Sequence, residues 1–322
     1  MKLSKLLNRM LFVCCAMAIP AVAQVYIVRL PAIADSDLGD QVNRALATCD
    51  AGCVVNIDAG TYRFSTPILI NRPGLKLLGA GGRATPLIFA GTSGAAIEMR
   101  MNPFTIDTHD AIQGMSIELE NDNTAALLTG DITSATYRDL WINCNGHSNT
   151  KGFSVYLLNG WFERNLIDSV DIKYCSNDLS LEVDRNAQFN SFGYNKFLQV
   201  GLNVGDGGTG VLIGQDVMLY HSILNLNVNM DTGNQNAFMR VWGTSHANTY
   251  QLVGEAASPT IGLSVESGGN WEDGLLSRGG FVDLDYMTNY GFDNPSASPR
   301  LHLNAIDQRA KVRPRKPASQ LR

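Results

Sequence analysis

Between Val54 and Gly82 the chain reads VVNIDAGTYRFSTPILINRPGLKLLGAGG. Three short β-type runs, Val54–Ile57, Pro67–Ile70 and Leu75–Leu78, are parted by Asp-Ala-Gly, Asn-Arg-Pro-Gly and Gly-Ala-Gly-Gly. A strand of four residues with a tight corner at each end cannot bury a face alone. It needs further copies stacked against it. This stretch confines the chain to architectures in which short strands repeat.

The repeat continues downstream. Strand-like runs align on one central apolar residue, Ile117, Ile142, Ile172, Val200, Leu226, Leu252 and Leu284, at intervals of 25, 30, 28, 26, 26 and 32 residues. A second ladder follows through Leu127, Val155, Leu181, Val211, Met239 and Leu263. Uneven spacing is expected, because insertions collect at corners. Alternation with period two sends Met115, Leu119, Leu140, Val170, Leu198, Leu202, Leu224 and Val228 inward with the anchors. The expected fold is an all-β, single-stranded parallel β-solenoid over 35–304. One amphipathic helix, Asp35–Ala51, carries Leu38, Val42 and Leu46 on one face and caps the open end of the stack.

Residues 1–23 have the basic start, apolar run and Ala21-Val22-Ala23 ending of a secretory signal peptide, with cleavage expected after Ala23. Cys14 and Cys15 lie inside the apolar run, which argues for cleavage rather than a lipid anchor. No later stretch is apolar for long enough to span a bilayer. The expected location is secreted or periplasmic. Export permits disulfides among Cys49, Cys53, Cys144 and Cys175. Cys49 and Cys53 would close a small loop, and strand stacking at roughly 4.8 Å would bring Cys144 within reach of Cys175. Two alternatives stand beside this: a zinc site, which no second C-x-x-C or His cluster supports, and a pair of buried thiols at Cys144 and Cys175.

Charge is unevenly placed. Of the 25 Lys and Arg residues, three lie in the leader and six between Arg309 and Arg322, which leaves 16 against 30 acidic residues in the body, a net of about −14. Such a body repels nucleic acid, anionic membranes and polyuronate chains, the last unless Ca²⁺ bridges the two. No cofactor is otherwise expected. The Pro-containing basic tail, 305–322, is expected to be disordered.

The order of DLGDQVNRALATC, VVNIDAGTY, an apolar run, LKLLGAGG and PLIFAG resembles the start of pectate-lyase-superfamily β-helix proteins, and the repeats from Ile117 to Leu284 are similar in style. The resemblance implies a right-handed parallel β-helix and a carbohydrate-active protein. It does not bring a mechanism with it. Asn145-Gly146-His147-Ser148 departs from the Gly-His-Gly of polygalacturonases, and Trp141-Ile142-Asn143 lacks the Asp and His of the pectate-lyase run Trp-Ile-Asp-His.

Candidate chemistry is therefore read from the outward positions. Ser116, Trp141, Asp171, Gln199, Asn225, Gln251 and Asp283 precede the anchors, and Glu118, Asn143, Lys173, Gly201, Asn227, Val253 and Asp285 follow them. Carboxylates, amides and a Trp along a flat β-face suit a sugar groove, in which the ring stacks on a pyranose while amides bond its hydroxyls. Asp139 and Asp171, one coil and two residues apart, are expected at roughly 8 Å. That spacing suits an inverting glycosidase pair. Lys173, Arg138 or Arg164 beside Asp171 would instead serve a lyase as base and neutralising charge. The catalytic candidates are thus Asp139, Asp171 and Lys173; the substrate-binding candidates are Trp141, Asn143, Glu118, Arg164, Gln199 and Asn225. His109, His147, His221, His246 and His302 show no ligand spacing and are expected to be structural. The leading expectation is a polysaccharide-cleaving enzyme; the alternative is a non-catalytic polysaccharide-binding or structural β-helix.

Overall fold

A computed structural model of the chain describes residues 27–277 apart from 31–35, 50–51, 231–235, 257–260, 266–268 and 272–273. The expected leader, the coil around Leu284 and the basic tail lie outside the described residues.

Helix α1 spans Leu38–Thr48, shorter at both ends than the expected 35–51. It begins where the Asp37 carboxylate accepts the Asp40 amide at 3.2 Å, and it ends because Cys49 is already extended. Leu38, Val42, Ala45 and Leu46 are buried on one face. The Asn43 side chain does a second job. It donates to the Pro67 carbonyl and accepts from the Leu69 amide, both at 2.8 Å, so one amide closes the backbone edge of the terminal Ile68–Ile70 strand.

The rest is a parallel β-solenoid, the architecture that the resemblance implies. Among the described residues, one long sheet is stacked in the order Ile27–Leu30, Val54–Ile57, Lys76–Leu78, Ala111–Leu119, Thr136–Asn143, Leu166–Lys173, Lys196–Val204, Ile223–Met230, Thr249–Ala256, Gly274–Ser277. A second sheet runs from Ile68–Ile70 through Thr124–Thr133, Lys151–Leu157 and Asn177–Val183 to Ile261–Val265. A third is built from strands of only two or three residues, Phe192–Gly193, Met218–Tyr220, Thr244–His246 and Asn270–Trp271. All pairs are parallel, so each coil touches the one before and the one after.

Core columns follow the register. Ile117, Ile142, Ile172, Leu202 and Val228 stack in line, and Met115, Leu140, Val170, Val200 and Leu226 form the next column. Each is at most 3% exposed, and at roughly 1.5–3 kcal/mol per buried aliphatic side chain these columns contribute a large share of the core's stability.

The expected ladder slips here by one pair. Val200 stands opposite Val170, not Ile172, whose partner is Leu202. The second ladder slips the same way: Leu127 faces Phe153 rather than Val155, and Leu179 rather than Leu181 faces Val211. A two-residue slip preserves side-chain direction, so hydrophobic alternation cannot detect it.

Cys49–Cys53 and Cys144–Cys175 are disulfide-bonded, with Cα separations of 5.5 and 4.9 Å. The second bond joins consecutive coils. Where the chain enters the long sheet, each coil turns on one residue of positive φ, Ser134, Arg164, Tyr194, His221 and Ala247 in succession. The residue after it is buried, and those of the later coils form a polar chain. Asn165 accepts from the Ala135 amide and donates to Asn195, Asn195 donates to the Phe162 carbonyl, and Ser222 passes the pattern to Asn248. These bonds satisfy backbone groups that a sharp buried corner would otherwise leave bare.

Candidate functional site

Within the long sheet, the slip rearranges the outward rows. One row is Ser116, Trp141, Asp171, Gly201 and Asn227; the next is Glu118, Asn143, Lys173, Asn203 and Asn229. Gln199 leaves the first row. It joins Gly114, Asp139 and Ser169 in a bulge row, all four with φ between 50° and 70°. The bulge ends at Asn225, because between Phe197 and Val200 the register shifts against the Ile223–Met230 strand. Asn225 therefore pairs with Gln251, away from the carboxylates.

Asp139, Trp141, Asp171 and Gln199, with Gly82 and Arg83 from the preceding corner, line one open depression of about 470 Å³. Trp141 faces Asp171 directly in the register, which sets Asp139 two residues back on the neighbouring strand. The Ser169 hydroxyl donates to Gln199 at 3.3 Å along the bulge row. Gly201 makes room for the Asp171 carboxylate, since a Cβ there would lie 2.1 Å from Oδ1.

The remaining candidates are differently employed. The Lys173 ammonium sits 4.2 Å from the centre of the Trp141 ring, a cation–π contact that covers one face of the ring expected to stack on a sugar. Asn143 donates to Asn145 at 2.7 Å and accepts its amide at 3.0 Å, so it orders the next corner. Glu118 stands opposite Asn143, half-buried. Arg164 is not beside Asp171. It occupies the corner before the strand, roughly 20 Å away by strand rise, with its guanidinium 3.6 Å from Asp107. Arg138 is likewise drawn off, to Asp168 at 3.1 Å.

Two polar groupings were not foreseen. On the second sheet Lys151 pairs with Glu182, and Tyr156 donates to Asp184 at 2.9 Å while the Arg100 guanidinium lies 5.6 Å above its ring. At the third sheet Ser191 and Tyr220 both donate to one oxygen of the buried Glu163. In each, the charges and hydroxyls are satisfied by one another, which is the pattern of a clamp between coils. A third sheet of two-residue strands gives no alternation from which to read it. Among the described residues no group of three or more potential metal ligands occurs, and no helix is long and apolar enough to cross a membrane.

No protein-family profile and no curated protein sequence matches this chain. Similar solved structures include an ORF18 protein of Geobacillus virus E2, with 14% identity and a TM-score of 0.42 over 77% of this chain and 59% of that one. The chain thus spans less than two thirds of the viral protein's length. An alginate lyase from Paenibacillus sp. str. FPU-7 is similar with 10% identity and a TM-score of 0.38, over 80% of this chain and 95% of that one. A pectin methylesterase in complex with a hexasaccharide has 12% identity and a TM-score of 0.39, over 78% and 92%.

Proposed function

We propose that this β-solenoid binds a polysaccharide on its long sheet and hydrolyses it with Asp139 and Asp171. The observation that carries this reading is that two carboxylates, a Trp and a Gln from three successive coils line a single depression. One strand step and two residues separate their backbone positions, roughly 8 Å. Side chains carried at that spacing can span the 6.5–9.5 Å or so at which one acid protonates the leaving oxygen while the other activates a water on the opposite face. Gln199 and Arg83 supply donors to sugar hydroxyls at the rim.

The test is release of new reducing ends from a panel of soluble polysaccharides, with Asp139→Asn and Asp171→Asn each expected to lower turnover at least a hundredfold. Full turnover in both variants removes the assignment.

A further inference from the structure

Beyond the far ends of the same strands lies a second depression, of about 520 Å³, built from three consecutive corners. His147, Ser148 and Asn149 come from the first corner, Tyr174 and Ser176 from the second and Asp206 from the third. Its geometry is unusually fixed for a corner. The Cys144–Cys175 disulfide ties the first corner to the second, and the Gly146 amide donates to the Tyr174 carbonyl at 3.0 Å. Asn145 is anchored to the Leu119 carbonyl at 2.9 Å, and Asp122 holds both the Ser148 amide, at 2.7 Å, and the His147 ring, at 3.4 Å. Tyr174 is 40% exposed and packs beside Gly205, where a Cβ would approach Cδ1 to 3.4 Å. A part-exposed aromatic ring beside a glycine, ringed by hydroxyls and amides, is a platform for a pyranose.

The two depressions share a path. Asp139, Trp141, Asn143 and Asn145 succeed one another on a single strand and its corner, about 20 Å end to end. Asp171, Lys173 and Tyr174 run beside them on the next. Charge narrows the ligand: the lining of the second depression includes the carboxylate of Asp206 and no Lys or Arg. A uronate placed there would meet an anion without a neutralising partner.

We infer that the second depression is a binding subsite for a neutral oligosaccharide, which lies along the strands, across the solenoid, from Asp139 and Asp171 to Tyr174. The inference rests on the polysaccharide reading above and adds the subsite, the direction and the neutral class.

The test uses the full mature chain in affinity electrophoresis through gels of galactomannan, xyloglucan, arabinan or mixed-linkage glucan, with polygalacturonate and alginate gels alongside. Expected is retardation in at least one neutral gel and in neither polyuronate. Tyr174→Asn, chosen because Asn tolerates the positive φ of 58° at this position, should weaken retardation tenfold or more. Tyr174→Phe should leave it within about twofold, and both variants should keep the thermal midpoint of the wild type. Retardation unchanged in Tyr174→Asn overturns the subsite while leaving the polysaccharide reading intact. Retardation confined to polyuronate gels overturns the neutral class. No retardation and no reducing ends in any gel overturns both.

Discussion

Asp110 offers a test of the fold's electrostatics that needs no ligand. It precedes the Ala111–Leu119 strand and is 1% exposed. One carboxylate oxygen accepts the Leu75 amide at 2.7 Å, while the other has no partner among the described residues. Burial pushes its pKa up to about 6 from an ordinary 3.8, against the pull of hydrogen bonds from Thr108, Leu75 and Gly74. The folded state therefore holds this proton more tightly than the unfolded chain does. Its contribution to stability is present in full below pH 3.8 and is lost as pH rises through about 6. At 1.36 kcal/mol per pKa unit, a rise of about two units amounts to roughly 3 kcal/mol. In Asp110→Asn the amide oxygen can still accept from Leu75, but its NH₂ replaces the unpartnered oxygen, at a pH-independent cost of about 1–3 kcal/mol. Urea unfolding of both proteins at pH 4, 5, 6 and 7 gives the comparison. The variant should be the less stable at pH 4, and the gap should close by roughly 2.5 kcal/mol by pH 7. Asp178, buried with its pKa raised by desolvation, falls in the same sense but is common to both proteins and cancels. Parallel stability profiles for the two proteins would refute the reasoning.

Three further outcomes are expected. Gly201→Ala would put a Cβ 2.1 Å from Asp171 Oδ1 and force that carboxylate aside; turnover on any polysaccharide the wild type cleaves should fall at least tenfold with an unchanged thermal midpoint, and a full rate would detach Asp171 from the chemistry. Replacing Cys144 and Cys175 by Ala opens a loop with a separation of 31 residues and should cost roughly 3–4 kcal/mol, against about 2 for the pair Cys49 and Cys53; the reverse order in urea midpoints would contradict loop closure as the source. Asn195→Ala removes the acceptor for the Asn165 amide and the donor to Phe162 and should cost about 3 kcal/mol; a loss below 1 kcal/mol would mean that the corner finds other partners.

How far the sequence could be read is clearest residue by residue. The Val54–Ile57 strand, the helix around Val42 and the short Cys49–Cys53 loop were legible because composition and spacing leave few ways to place them, whereas strand stacking brought Cys144 within reach of Cys175 but left a pair of buried thiols equally open. Ile117, Ile142 and Ile172 fall in line as their spacing suggests. Val200 does not: it stands opposite Val170, a displacement of two residues that keeps the side chain pointing inward and leaves the alternation unchanged. The depression around Asp139 and Asp171 follows from register, which the sequence carries for those two strands. The diversion of Arg164 to Asp107 does not, since seven residues of extended chain remove it from Asp171. Nor does the contact of Lys173 with Trp141, which depends on rotamers across neighbouring strands.

The polar chain through Asn165, Asn195, Ser222 and Asn248 also bears on how such a molecule grows. Each buried amide completes the backbone of an adjacent coil, so a coil is finished only when its neighbour arrives. A terminal coil is then like the growing face of a crystal, presenting vacant positions in register for the next layer. The helix at the N-terminal end blocks that face with Asn43. A fragment cut at the other end would carry an unblocked face and should lengthen by adding copies of itself.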